Sequence, residues 1–168
     1  EYPNFSRDES IQTLQGHTDW VNDLKFSNDS RYVISGSNDK TAKKWDILNG
    51  NCLVTYSAHG NSIISVDTNS DNSKILLGYI DTSFIIRDLS NAKDISRIRQ
   101  KTYDANRVAF HPGDDNIALT LAFPGSVMQL VDSSTGVVQD FITMENRQIV
   151  RDFSFSKDGK YLLAQLST

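Results

Sequence analysis

The residues with the most chemical potential sit in one stretch, Gly16 to Asp46, which reads GHTDWVNDLKFSNDSRYVISGSNDKTAKKWD. It holds His17, Ser35 and Asp39. These are the residue types of a nucleophilic triad, where an imidazole takes the proton of a hydroxyl and a carboxylate orients the imidazole. Two features argue for a framework role instead. No Gly-x-Ser-x-Gly elbow presents a serine on a strained turn, and Trp45, near the end of the stretch, has no part in such chemistry. The three histidines, His17, His59 and His111, do not have metal-ligand spacing, and the single cysteine, Cys52, adds no cluster. Gly36, Gly50, Gly60 and Gly78 are scattered and no Gly-Lys-Ser follows any of them, so there is no phosphate loop. Asp114-Asp115 falls in a turn signal and reads as solvated. No cofactor is expected.

These residues belong to a unit that recurs. At an offset of 42, His17 meets His59, Val21 meets Ile63, Leu24 meets Val66 and Asp29 meets Asp71. At the same offset Ile34 meets Leu76, Gly36 meets Gly78, Asp39 meets Asp81 and Asp46 meets Asp88. Trp45 meets Arg87, a mismatch. A third copy places Leu24 and Phe26 on Val108 and Phe110. Its offset grows by two further on, which puts extra residues near Ala122 to Gly125. A fourth copy aligns Phe26, Asp29 and Tyr32 with Phe155, Asp158 and Tyr161 and ends halfway through the unit. Repeats of fixed period mean stacked supersecondary units. That period argues against an unrelated set of hairpins in a sandwich.

Each unit contains short apolar runs bounded by turn residues, the signal for strands. In the first they are Val21–Phe26, Tyr32–Ser37, Thr41–Ile47 and Cys52–Ser57. Asn28-Asp29-Ser30 and Asn38-Asp39-Lys40 carry residues that tight hairpins favour. Ile75–Leu77, Phe84–Ile86 and Tyr161–Leu163 are continuously apolar, as in sheets covered on both faces. No stretch sustains a helical period.

With 17 basic and 21 acidic residues the net charge is −4, which disfavours direct contact with nucleic acid or an anionic membrane surface. No apolar run reaches the ~18 residues of a membrane helix, and the first ten residues have no signal-peptide core. One cysteine and no ligand cluster point to a reducing, intracellular compartment, cytoplasmic or nuclear. The chain begins at Glu1, and is expected to be a piece of a longer protein.

A unit of this length, framed by Gly16-His17 and Trp45-Asp46, resembles the WD40 repeat family. The resemblance runs from about Ser10 onward and weakens along the chain. Arg87-Asp88 and Val131-Asp132 stand where Trp-Asp belongs, and Lys101 and Asn146 replace the opening histidine. It implies an all-β propeller of four-stranded antiparallel blades. Residues 1–9 then form a tail, and 10–168 an incomplete arc of a seven-bladed ring. Its repeats span about 15–57, 58–99, 100–142 and a truncated 143–168. Ser10–Leu14 would be the outer strand of a preceding blade, and Gly16–Asp46 the best-anchored blade. An open arc leaves two blade faces uncovered, so the isolated segment is expected to be unstable or aggregation-prone.

By the same resemblance, His17, Ser35, Asp39 and Trp45 form a buried polar network, with His59 and Asp81 its remnant in the second unit. There an Arg87–Asp81 ion pair would stand in for the lost tryptophan. Such propellers are non-catalytic platforms that bind proteins or peptides on one face. The positions carried over are Trp20, Asn22 and Asn38, then Ser62, Ile64 and Ile80, then Asp104 and Asn106, then Ile149 and Arg151. Trp20 has the character of a binding hot spot, or else packs on a neighbouring blade. Arg151 can read a carboxylate or phosphate, or serve as a paired surface residue. The expected function is a scaffold or substrate-recognition subunit, with the rest of the propeller supplied by the same or another chain. An RNA-processing role and a propeller-type hydrolase are the alternatives.

Overall fold

The structure, a computed structural model, describes residues 12–57, 60–81, 83–99, 104–123, 127–143 and 149–167. Side chains are described throughout these except at 104–106, 117, 122–123, 127, 139–143 and 167. Among the described residues every regular element is a strand. The first sheet holds β1 (Val21–Phe26), β2 (Tyr32–Ser37), β3 (Thr41–Asp46) and β4 (Cys52–Ser57). The second holds β5 (Ile63–Thr68), β6 (Lys74–Tyr79), β7 (Ser83–Asp88) and β8 (Asp94–Arg99). The third holds β9 (Asp104–His111), β10 (Asp114–Phe123), β11 (Val127–Asp132) and β12 (Val138–Thr143). A two-stranded sheet of β13 (Ile149–Phe155) and β14 (Leu162–Ser167) ends the series. Each sheet is an antiparallel meander in chain order. The chain is an incomplete β-propeller of three full blades and half of a fourth.

Side chain-to-backbone hydrogen bonds at the turns explain where strands stop. Asp29 accepts from the Ser27 hydroxyl at 2.6 Å and from the Arg31 amide, and Ser30 takes a left-handed φ of 56°. The repeat-equivalent Asp71 accepts from the Ser73 amide, and Asp158 from the Ser156 hydroxyl. These bonds, led by the serine at each site, hold all three carboxyls below their usual range. The third strand ends at Asp46 rather than Ile47, because the Asp46 carboxylate accepts the Leu48 amide and starts a turn.

Neighbouring blades share apolar cores. Ile34, Ala42 and Tyr56 of blade 1 pack on Ile63, Val66, Ile75, Leu77 and Tyr79 of blade 2. The opposite face of blade 2 offers Leu76, Phe84 and Ile86 to Val108, Phe110 and Ala118 of blade 3. Leu119, Leu121 and Met128 continue to Val150 and Phe153. Each aliphatic side chain so buried is worth about 1.5–3 kcal/mol. Polar stitches run alongside. The Ser65 hydroxyl and the Val66 amide both donate to Asp23 Oδ2, at 3.0 and 2.9 Å. The Phe110 amide donates to Asp67 Oδ2 at 2.8 Å, and Lys25 Nζ lies 2.9 Å from Asp67 Oδ1. The carboxylate of Asp67 thus ties three blades together.

Three expectations need correction. Gln12–Leu14 forms no strand, and Ser10 lies outside the described residues; an outer strand needs an inner partner to pair with. Tyr161–Leu163 is not covered on both faces: β14 starts one residue later, and Leu163 is 74% exposed. Blade 1 is not the best anchored. Its strand β1 is exposed almost throughout, whereas β5, β6 and β7 are nearly all buried. Among the described residues blade 2 packs on a blade at each face, and blade 1 on one.

Gly36 and its repeat-equivalent Gly78 let the next inner strand come close. A Cβ at Gly36 would lie 2.5 Å from Ile63 Cγ2 and 2.8 Å from Val66 Cγ1, and one at Gly78 would lie 3.1 Å from Val108 Cγ1. Gly36→Ala is therefore expected to destabilise the full-length protein by about 1–3 kcal/mol, the usual cost of overpacking. Urea denaturation measures this; an unchanged midpoint contradicts the close approach.

Candidate functional site: the network and the surface it supports

Beneath one end of blade 1 the four framework residues meet. His17 Nδ1 is 2.7 Å from Asp39 Oδ2, and His17 Nε2 is 2.7 Å from Ser35 Oγ. The Trp45 indole N–H donates to Ser35 Oγ at 2.8 Å. A carboxylate only accepts, so Nδ1–H donates to Asp39. With the imidazole neutral, Ser35 donates to Nε2 and accepts from Trp45, and every polar group is satisfied. The His17 and Trp45 rings meet edge to face, 5.8 Å between centroids.

Asp39 anchors this set. Burial raises its carboxyl, but hydrogen bonds from the Thr41 hydroxyl at 2.6 Å, from His17, and from the Thr18 and Thr41 amides outweigh burial and hold it well below the usual range. The sequence reading passed over Thr41 and Thr18. Thr41 could have been found from its place two residues after an aspartate in a turn, where hydroxyl and amide reach back to the carboxylate.

The arrangement has the order of a hydrolase triad but not its access. Ser35 is 5% exposed, lies inside a strand, and its oxygen already takes the indole proton. In blade 2, Asp81 accepts from Asn61 at 2.7 Å and from the Ser83 hydroxyl and amide. His59 lies outside the described residues. The Arg87–Asp81 pair does not form: the Arg87 guanidinium donates to Asp94 at 2.6 Å and to the Ser57 carbonyl at 3.1 Å. Arg87 and Asp94 face each other across β7 and β8, which places the nearer carboxylate on the outer strand. Among the described residues no group of three His, Cys, Asp or Glu could hold a metal ion, and no helix is long and apolar enough to cross a membrane.

Above the network lies the surface to which the sequence assigned partner contacts. The ladder of every inner strand is interrupted at one repeat position. The registers jump between Val21 and Asp23, between Ile63 and Ser65, between Ala105 and Arg107, and between Val150 and Asp152. The skipped residues are Asn22, Ile64, Asn106 and Arg151. A bulge bends the strand and takes one residue out of the ladder, a device common beside functional sites.

Trp20 precedes the first bulge. It is 78% exposed, and its carbonyl is fixed by the Asn38 amide at 2.9 Å. The Asn22 amide group donates to Asn38 Oδ1 at 2.7 Å and to the Ile63 carbonyl at 2.8 Å, so it joins the loop to blade 2. Ser62 reaches the Asn38 carbonyl at 3.5 Å, and its own carbonyl accepts the Ile80 amide. Ile80 is 55% exposed. The structure therefore links Trp20, Asn22, Asn38, Ser62 and Ile80 in one hydrogen-bonded surface. Ile64 of blade 2 and Ile149 of the last sheet are half-buried, and Arg151 of the last sheet is exposed. The side chains of Asp104 and Asn106 lie outside the described residues.

Asp39→Ala leaves the His17 Nδ1–H and the Thr41 hydroxyl without their acceptor, and should cost about 1–3 kcal/mol. Because the Asp39 carboxyl is depressed in the folded state, its contribution is complete above the ordinary aspartate value of about 3.9 and is lost as pH falls through the folded value. The stability gap between the native protein and Asp39→Asn should thus narrow below pH ~4. Chemical denaturation at a series of pH values checks this; a gap that widens on acidification contradicts it.

The WD domain, G-beta repeat family matches residues 8–46. The chain is 34% identical over 118 residues to the WD repeat-containing protein 89 homolog of Dictyostelium discoideum, covering 70% of this chain and 32% of that protein. It is 30% identical over 160 residues to the Pre-mRNA-processing factor 19 homolog 2 of Arabidopsis thaliana, covering 90% and 29%. The chain thus spans less than a third of either relative's length. Among solved structures, the Cps50 (Swd1) β-propeller domain of Myceliophteria thermophila superposes with a TM-score of 0.78 at 17% identity, over 89% of this chain and 50% of that one. Repeat spacing, four-stranded meander blades and these likenesses agree: the chain belongs to the WD40 repeat family.

Proposed function

We propose that this chain is part of a non-catalytic platform for protein–protein contacts, a scaffold or substrate-recognition subunit of an intracellular multiprotein assembly. It binds partners through the rim that carries Trp20 and Ile80. The observation that carries this reading is the recurrent bulge at Asn22, Ile64, Asn106 and Arg151, beside an exposed tryptophan on a loop fixed by hydrogen bonds. A tryptophan held in place before a partner arrives loses little entropy on binding, and such residues dominate interface energetics. Asp104, Asn106 and Ile149 extend the same rim by repeat position. A hydrolase is disfavoured by the inaccessible Ser35 oxygen, and no cofactor is needed.

The apolar side chains left open at the two ends of the arc, Leu24 and Phe26 on blade 1 and Tyr161 and Leu163 on the last sheet, suit cover by the rest of a propeller. The pre-mRNA-processing relative keeps an RNA-processing assembly in view. With a net charge of −4, that role would run through protein contacts rather than RNA.

Trp20→Ala in the full-length protein should weaken its principal partner by about 2 kcal/mol or more. Melting should be unaffected, since the side chain is 78% exposed. Quantitative co-purification and calorimetry of native and variant protein test this; full retention of every partner contradicts the reading.

A further inference from the structure

Between neighbouring blades the turn after each inner strand reaches across to the next blade, and one of these ties differs in its chemistry. The Asn28 side-chain amide of blade 1 donates to the Asn69 and Ser70 carbonyls of blade 2, at 3.1 and 3.0 Å. Its repeat-equivalent Ser70 donates from its backbone amide and its hydroxyl to Asp115 of blade 3, at 2.9 and 2.8 Å. The next equivalent is Pro112, which has no N–H and no polar side chain. There the tie passes to the residue before it. His111 Nε2 lies 3.0 Å from the Gly159 carbonyl of the last sheet, and His111 Nδ1 lies 3.1 Å from the Gly113 amide of its own turn. In the other units Ser27, Asn69 and Ser156 stand at the place of His111, and each uses its side-chain oxygen on an amide of its own turn.

The imidazole is closely seated. A Cβ at Gly159, where φ is +72°, would lie 2.5 Å from His111 Cε1, and one at Gly113 would lie 3.4 Å from the same atom. The ring also meets Phe155 edge to face, 5.1 Å between centroids. A backbone N–H only donates and a carbonyl only accepts, so these two partners select the neutral imidazole with its proton on Nε2. A second proton would sit on Nδ1 and face the Gly113 N–H, and that bond would be lost.

The charged groups around the ring offer it no counter-ion. Lys157 and Lys160 of the last sheet border the cavities on either side of the ring, and Lys25 lines one of them. All three oppose a further positive charge. The nearby carboxylates are bonded to other groups: Asp67 to Lys25 and the Phe110 amide, Asp114 to the Asn116 amide, Asp115 to Ser70, and Asp158 to the Ser156 hydroxyl and the Lys160 amide.

We propose that His111 is a pH-sensitive latch between blade 3 and the last sheet, closed while its imidazole is neutral and loosened when the ring takes a second proton. Loss of the Gly113 bond frees the turn that holds the ring, and with it the grip of Nε2 on Gly159. The substitution of Pro112 for an asparagine or serine is what makes this tie, unlike those at Asn28 and Ser70, depend on a titrating group.

The test is NMR on the full-length protein between about pH 8 and pH 5, the range over which imidazoles change charge. At the upper limit the nitrogen shifts of the His111 ring should report the Nε2–H tautomer. On acidification the Gly113 amide should shift in step with the ring. Hydrogen-exchange protection of the β13 and β14 amides, taken as a ratio to that of β6 in the same sample, should fall about tenfold, the scale of one lost hydrogen bond. His111→Asn puts blade 2's own residue at this position and removes the titrating ring; its ratio should not change with pH. An Nδ1–H tautomer at the upper limit, a constant ratio in the native protein, or the same fall in His111→Asn overturns the latch. If the variant does not fold, the tautomer and the ratio in the native protein still decide.

Discussion

Everything in this chain depends on the burial of one blade face against the next. A four-stranded sheet with continuously apolar strands cannot stand alone in water. Blade 2 shows the solution: Ile75 and Leu77 face blade 1, Leu76 and Phe84 face blade 3, and all four are fully buried. Gly36 and Gly78 permit the inner strands to close to contact distance. Among the described residues blade 1 packs on a neighbour on one side, and on the other side Leu24 and Phe26 remain exposed. The same strand is therefore buried or open according to its position in the stack, not its composition.

Polar groups then set what packing alone leaves loose. Apolar faces are tolerant of small slides and rotations, whereas Asp23 and Asp67 accept particular backbone amides from the following blade. Those bonds fix the relative height of adjacent inner strands. At the blade 1 rim, the chain of Trp45, Ser35, His17 and Asp39 ties the segment before β1 to the turn between β2 and β3. Asp39 also holds Thr18, two residues from Trp20, and Asn38 holds the Trp20 carbonyl. A residue set with the order of a catalytic triad thus becomes the foundation for an exposed tryptophan.

Much of this was legible in the sequence, and the gaps have physical causes. The turn between β1 and β2 was readable because its aspartate, Asp29, acts on a residue two positions away, whereas the same contact at Asp46 ends β3 one residue before the expected Ile47. The partner of Arg87 was not readable. Asp94 lies directly across the strand pair, and only the register reveals that it is nearer than Asp81. Likewise Lys25 and Asp67 are separated by a whole repeat, and nothing local announces their contact. Tyr161 and Leu163 have the composition of a covered strand, but cover is a property of the neighbours. Residue type gave little sign of the bulges either: two asparagines, an isoleucine and an arginine stand at Asn22, Asn106, Ile64 and Arg151, and what all four have in common is a place in the repeat.

The central claim is that stability follows burial between blades, so that blade 2 is the firmest unit although Gly16–Asp46 carries the fuller motif. Native-state hydrogen exchange on the 168-residue chain tests this directly. The amides of β6, from Lys74 to Tyr79, should exchange last, and those of β1 and β14 well before them. Slower exchange in β1 than in β6 would contradict the account, and would mean that the network at Asp39 outweighs the packing of a blade between two neighbours.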